Sequence, residues 1–281
     1  MSINVVKASG DIEPLDLNKV RRACMRTGAS EVIAKKVLRD VQNSLFDGIS
    51  TKKIYRTVCK LLKQYSYYSE ARFRLKESMM NMGPSGFPFE TYVNEILKNY
   101  GYKTTQNVVL KGVCANHEID IVAEENSSNS KRFLIECKYH NAFGIYTGLK
   151  QVLYTYARLL DLQEGYNKGI CERIDGAWLV TNTKISREAV KYGECKGLNL
   201  LGWRYPPDKG LEWMIEQKNL FPVTVLGFIG KKSLEKFSKA GVMLVKDLES
   251  LNAKNLSEMT GISQSEIRVI KDKILDFNRS P

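Results

Sequence analysis

Two apolar segments joined by a short polar loop constrain this chain more than any other feature: His117-Glu118-Ile119-Asp120-Ile121 and Phe133-Leu134-Ile135-Glu136-Cys137-Lys138. Both alternate with the period of a strand. Ile119 and Ile121 are thereby set on one side and Asp120 on the other, while Leu134, Glu136 and Lys138 stand opposite Ile135 and Cys137. Paired as a hairpin, the segments bring Asp120, Glu136 and Lys138 onto one face. Carboxylates lodged among Ile, Leu, Val and Phe lose several kcal/mol of hydration unless they pair or hold a cation. Two acids and a lysine side by side therefore point to a metal site.

Asp120, a gap, then Glu136-Cys137-Lys138 resembles the signature of the PD-(D/E)xK nuclease superfamily. The resemblance is closer to the Mrr-like restriction endonucleases, which carry Glu-Ile-Asp on one strand and Glu-Cys-Lys on the next. Phe89-Glu90, opening a helix over Thr91 to Tyr100, looks like that family's beginning, and the likeness covers roughly residues 85 to 205. It implies a catalytic set of Glu90, Asp120, Glu136 and Lys138. It also implies a Mg²⁺ (or Mn²⁺) site made by Asp120, one oxygen of Glu136 and the carbonyl of Cys137. In this reading Lys138 orients an attacking water and offsets phosphorane charge, and Lys150, Gln151 and Tyr154 on the following helix stand where relatives place polar residues.

The start of the chain resembles a second family. Val6-Lys7, Gly10, Glu13-Pro14-Leu15-Asp16 and Lys19-Val20, with Asp47-Gly48-Ile49-Ser50-Thr51 before a later helix, look like an ATP-cone, the regulatory nucleotide-binding domain of ribonucleotide reductases and their repressors. The resemblance implies Lys7 and Lys19 on phosphates, Glu13 and Asp16 on sugar or base, Thr51 near adenine, and ATP or dATP as effector. Many ATP-cones follow the lysine with arginine. Ala8 stands here instead and removes a bidentate phosphate contact. Near the end, Leu226-Gly227-Phe228-Ile229-Gly230-Lys231-Lys232 and Met259-Thr260-Gly261-Ile262-Ser263 resemble the glycine turns of helix-hairpin-helix domains, with Ser263 in place of a second glycine. Such turns, with Lys231 and Lys232, suit phosphate contact without base reading.

Three parts are therefore expected: an α-helical ATP-cone-like domain over 1–82, an α/β nuclease domain with a mixed sheet flanked by helices over 83–218, and a small all-α domain over 219–281 for DNA binding or dimerisation. The first carries helices capped by Asp16 and Ser30, the latter with Val32, Ile33, Val37, Val41 and Leu45 on one stripe, then a helix capped by Ser50 and one over Ser69 to Met80. A linker runs from Gly83 to Pro88. Tyr65, Tyr67 and Tyr68 read as packing residues. Net charge supports the division: +8 over 1–82 (16 Lys and Arg against 8 Asp and Glu), +1 over 83–218 (17 against 16) and +3 over 219–281 (10 against 7). A basic excess flanking a near-neutral centre suits DNA as the partner.

No long uncharged apolar run and no basic-then-apolar leader occurs, so the expectation is a cytoplasmic chain without a membrane partner. Six scattered cysteines without a CxxC pair, and two histidines, read as reduced thiols rather than a zinc site. The function these features imply is a Mg²⁺-dependent DNA endonuclease of restriction type, regulated by ATP or dATP and acting as a homodimer or larger homo-oligomer. The alternative is a nucleotide-sensing DNA-binding regulator whose nuclease-like domain does not cleave. The ATP-cone repressors carry a cysteine-rich zinc ribbon that this sequence lacks.

Overall fold

The computed structural model describes residues 3–7, 10–65, 67–83, 87–127 and 130–278. Ala8, Ser9, the Pro84–Gly86 part of the expected linker, and the side chains of Tyr67 and Tyr68 lie outside the described residues. The chain divides into two units. One contains residues 1–78, 225–230 and 251–281, the other 79–224 and 231–250.

In the first unit Asn4–Val6 (β1) pairs antiparallel with Ile12–Pro14 (β2) and parallel with Ile49–Ser50 (β3), so a small sheet accompanies the helices that the sequence led us to expect. Leu17–Arg26 (α1) begins where the Asp16 carboxylate accepts the Asn18 N–H, and Glu31–Asn43 (α2) where Ser30 accepts the Ile33 N–H. Thr51–Tyr65 (α3) begins where Ser50 accepts the Lys53 N–H, and Tyr67–Met80 (α4) follows. The core joins Val5, Val37, Val41, Ile54, Val58 and Leu62. Val32, expected on the α2 stripe, is 63% exposed, and Ala34 is buried with Val37 and Val41. The spacing 34, 37, 41 follows the helical period, from which position 32 departs.

The second unit opens with Phe87–Asn99 (α5) and the antiparallel run Tyr102–Lys111 (β4), Asn116–Glu125 (β5) and Arg132–Lys138 (β6). Tyr146–Thr147 (β7), Leu149–Asn167 (α6), Gly176–Thr181 (β8), Lys184–Ile185 (β9), Arg187–Cys195 (α7), Asn199–Leu201 (β10) and Leu211–Gln217 (α8) follow. The sheet order is β10-β8-β6-β5-β4, with β6, β8 and β10 parallel. Helix α6 covers one face through Val152, Leu159 and Leu162, while α5 packs against β4, β5 and β6. The β4–β5 turn is tied to α6 by Asp161, which accepts the N–H groups of Cys114 (2.8 Å) and Ala115 (3.2 Å) and meets His117 Nε2 at 2.7 Å. These bonds, the Cys114 N–H first, hold the Asp161 carboxyl down at about 2.

One expectation fails in β5. Ile119 packs with Val122 and Leu134 in the α6-side cluster, together with Val108 and Leu110. Tyr102, further back on β4, meets Trp178, the register partner of Ile135, on the other face. Residues of the same parity thus change face between the two ends of β4 and β5. The change falls at Asn107, whose φ of 53° is left-handed, and at Asp120, which lies across from it between the Gln106↔Ile121 and Val108↔Ile119 pairs. A strand obeys period 2 only while its backbone stays extended.

Lys231–Lys239 (α9) and Val245–Ser250 (α10) precede a helical pair, Ala253–Thr260 (α11) and Gln264–Asn278 (α12). Gly261, at φ 65°, closes α11 in the left-handed conformation. Ser263 caps α12 by accepting the Glu266 N–H, which is why a hydroxyl serves where a second glycine was expected. Among the described residues no helix is long and apolar enough to cross a membrane.

Candidate active site and nucleotide cavity

The β5–β6 ladder runs from Glu124↔Arg132 to Ile121↔Ile135 and ends there, although β6 stays paired with β8 as far as Lys138↔Thr181. Beyond Ile135 the Cys137 N–H is instead donated to Asp120 Oδ2 at 2.7 Å. Asp120 therefore sits where β5 turns its face and leaves β6, with Glu136 directly opposite. Glu90 approaches from the first turn of α5, which begins at Phe87 rather than near Thr91. Phe89 is fully buried and its ring lies 5.8 Å from that of Tyr139, fixing the helix start beside β6.

Three carboxylates gathered this way repel one another. Burial, then Asp120, raises Glu90 to about 7. Burial, then Asp120, raises Glu136 to about 7 as well, against the pull of Arg158. Asp120 itself is raised by burial, with the Cys137 N–H and Arg158 opposing. Lys138 continues the same strand and acts electrostatically on Glu136. The Cys137 thiol is pushed far up by burial and by the same three carboxylates, so it stays protonated.

Arg158 is a member of this site that sequence reasoning missed. It stands on α6, 5% exposed, ion-paired through Nη1 with Glu136 Oε2, and its guanidinium lies 5.1 Å from the centre of the Tyr154 ring. Its Nε is buried without a hydrogen-bond partner. The available signal was an arginine between Thr155 and Leu159 on the apolar stripe of a helix, one turn beyond Tyr154. Of the helix residues the sequence did single out, Lys150 and Tyr154 are exposed and Gln151 is half-buried.

Behind Lys138 the strand end is clamped. Asn182 accepts the His140 N–H at 2.9 Å and donates to the His140 carbonyl at 2.7 Å. The buried hydroxyls of Thr147, Thr181 and Thr183 lie within 2.8–3.1 Å of one another, and His140 Nε2 is 3.2 Å from Thr147 Oγ1. Burial, then Lys138, lowers the His140 imidazole, which leaves it neutral at pH 7.

The donor set fits a hard divalent cation. Among the described residues no group of three or more His, Cys, Asp or Glu side chains is placed to hold a metal ion by itself. Mg²⁺ commonly takes one or two carboxylates and completes its shell with water and phosphate oxygens, which is what Asp120 and Glu136 offer. A protonated thiol offers no soft ligand.

The pH dependence follows. Glu90 and Glu136 near 7 lie above the unfolded value of about 4.3, so the folded state holds extra protons between those limits. Their contribution to stability is complete below the unfolded value and is lost as pH rises through about 7. Thermal melts in EDTA are expected to fall from pH 5 to pH 8, and Mg²⁺ to flatten that fall while releasing protons on binding below pH 7. A melt curve rising over this interval would contradict the assignment.

In the first unit Glu13, Asp16, Lys19 and Thr51 line one cavity of about 220 Å³, floored by apolar side chains including Val5, Ile54 and Phe73. Lys7 is paired with Glu13 at 2.6 Å, Lys19 lies 4.0 Å from the same carboxylate, and Arg22 is 3.6 Å from Asp16. Tyr55, also lining the cavity, stacks on Phe73 and donates its hydroxyl to Glu77 at 3.2 Å. Glu77 accepts from Arg74 Nε at 3.2 Å, and Arg74 Nη1 lies where a Cβ on Gly227 would come within 2.5 Å of it. Gly227 is the first glycine of the expected turn, and a side chain there would displace the tip of the Arg74 guanidinium.

The sheet, its acidic end and the fold around them define a restriction-endonuclease-type domain: the family model described as "Restriction endonuclease" matches residues 82–202. Residues 3–78 match the ATP cone domain, and 221–275 the model described as AF1548-like, C-terminal. The chain belongs to the AF1548-like family. An uncharacterized protein of Archaeoglobus fulgidus is 40% identical over 176 residues, covering 62% of this chain and 93% of its own length. The crystal structure of AF1548, a protein of unknown function, shares 38% identity at a TM-score of 0.57, over 66% of this chain and 95% of that one.

Proposed function

We propose that the restriction-endonuclease-like domain is a divalent-metal-dependent DNA endonuclease of the restriction or defence kind, regulated by ATP or dATP at the ATP cone. The observation that carries this reading is the coupled trio Glu90, Asp120 and Glu136 beside Lys138 at the point where β5 and β6 part. Asp120, Glu136 and the Cys137 carbonyl would hold Mg²⁺ or Mn²⁺. Bound there, the metal supplies a water that loses its proton more readily and charge that offsets the developing phosphorane. Lys138 holds the attacking water in line and compensates negative charge on the phosphoryl oxygens. Glu90, with a proton exchanging near neutral pH, hydrogen-bonds water on the other side of the acidic pair. One P–O bond forms to water as the bond to the leaving sugar oxygen breaks, without a covalent enzyme intermediate. Cutting both strands brings in a second copy of the chain as a dimer or larger homo-oligomer.

The nucleotide would enter the 220 Å³ cavity and draw Lys7 away from Glu13, since a polyphosphate outcompetes one carboxylate for a lysine. Tyr55, Glu77 and Arg74 then link the cavity to the Gly227 turn before Lys231 and Lys232, which favours the turn as the place where nucleotide occupancy is felt. Arg74→Ala is expected to leave ATP or dATP binding within about threefold by calorimetry while abolishing the nucleotide effect on cleavage. Unchanged regulation in that variant would remove the link. The primary test is plasmid incubated with Mg²⁺, wild type against Asp120→Ala and Lys138→Ala.

A further inference from the structure

The loop that follows the catalytic strand exposes six successive residues, Asn141 to Tyr146. Phe143 is 59% exposed, Ile145 41% and Tyr146 54%, and across the site Tyr154 on α6 is 57% exposed. Large apolar side chains left in water on one loop mark a contact surface. Its position is fixed by the site. The loop departs two residues after Lys138 and returns at Thr147, whose hydroxyl is 2.8 Å from that of Thr181, the register partner of Lys138. Tyr154 lies beneath Arg158, which holds Glu136. Cations attend two of the rings: Lys184 Nζ is 5.8 Å from the centre of Tyr146, and Arg158 Cζ 5.1 Å from that of Tyr154.

A duplex held mainly by its phosphates needs many cations, and binding strengthens with each phosphate neutralised. Residues 83–218 carry 17 Lys and Arg against 16 Asp and Glu, so around the site itself there is little excess for that kind of grip, the basic excess lying in the flanking parts. A ring attended by an exposed cation, as Tyr146 is by Lys184, suits the other kind, in which a base stacks on the ring and its phosphate meets the cation. Resting on the nuclease reading of the site, we propose that Phe143, Tyr146 and Tyr154 form a stacking platform for unpaired nucleobases. The substrate is then DNA with an unpaired stretch at the scissile phosphate, whether single-stranded, gapped or flapped, rather than continuous duplex.

The full chain in EDTA, titrated into a fluorescently labelled strand of about 20 nucleotides and into the same sequence as duplex, tests this by anisotropy, since the strand exceeds the roughly 4–16 nucleotides one binding fold covers. The unpaired strand is expected to bind at least about tenfold more tightly than duplex. Phe143→Ala/Tyr146→Ala is expected to lose about tenfold to a hundredfold on the strand and under about twofold on the duplex, with its melting temperature unchanged. A 2-aminopurine in the strand should be quenched by the wild type and not by the double variant. Equal affinity for both forms, or an equal loss on both, overturns the proposal. So does a double variant that keeps its strand affinity but falls to a smaller oligomer in sedimentation, which assigns the loop to self-association. Binding is read without hydrolysis, so loop-dependent strand binding with no cleavage under any metal refutes the nuclease reading alone. Equal cleavage of strand and duplex refutes the platform alone.

Discussion

Asp120→Ala and Lys138→Ala are each expected to lower plasmid cleavage in Mg²⁺ by at least about 10³-fold, because each removes a group that acts on charge developing only in the transition state. DNA affinity measured without cleavage should change by less than about threefold, since neither side chain supplies the bulk of phosphate contact. The stability readout separates this from simple damage. Asp120 is buried beside Glu136 and Glu90 and raises both, so its removal relieves repulsion. Metal-free Asp120→Ala is therefore expected to melt no lower than the wild type at pH 8, against the loss of its bond from the Cys137 N–H. DNA binding with no cleavage by the wild type under any divalent metal would favour the regulator reading. Cleavage that survives in Asp120→Ala would remove the site assignment itself.

Arg158→Leu should show the second large effect, in two opposite directions. Removing one partner of a buried pair typically costs about 3–5 kcal/mol, because a charge is left uncompensated. Here Glu136, already near 7, can escape by taking up a proton. Without the guanidinium its folded value rises further, so the loss grows with pH above about 7, by up to about 1.4 kcal/mol for each pH unit until the new value is passed. Chemical denaturation in EDTA should give a loss of about 1 kcal/mol at pH 6 and roughly 2–3 kcal/mol at pH 8.5. Mg²⁺ should bind the variant about tenfold more tightly, because no guanidinium competes for Glu136 Oε2. A pH-independent loss with unaltered Mg²⁺ affinity would show that Arg158 is a packing residue only.

Much of the second unit was legible because its strands and helices announce themselves locally. β6 stays paired with β8 through Lys138, and Ser186 caps α7 by accepting the Ala189 N–H. What was not legible lacked a local signal. Strand β4 contains Thr104, Thr105 and Gln106, too polar for an apolar run, and is a strand because it edges β5. Helix α8 is short and follows a proline-rich turn, and the burial of Leu211, Met214 and Ile215 gives it its place. Asp161 reads as an ordinary surface acid of a helix until the β4–β5 turn presents two N–H groups to it. Val32 looked like a stripe residue because hydrophobicity alone does not say which way a helix faces.

By itself the sequence placed Asp, Glu and Lys types at strand spacing, a pattern whose side-chain chemistry suits a hard cation, while the polyphosphate expectation came from the resemblance to an ATP-cone. The fold also followed from local pattern, because hydrophobic period and capping act over a few residues. Only the tertiary structure decided how the acids meet. The left-handed Asn107 lets the β4–β5 pair change face at Asp120, the ladder ends at Ile121↔Ile135, and Arg158 arrives from a helix more than a turn of sequence away to balance Glu136. Those features depend on long-range pairing and on burial, which raise Glu90 and Glu136 to about 7 through desolvation and the charge of Asp120, a combination that no single segment contains.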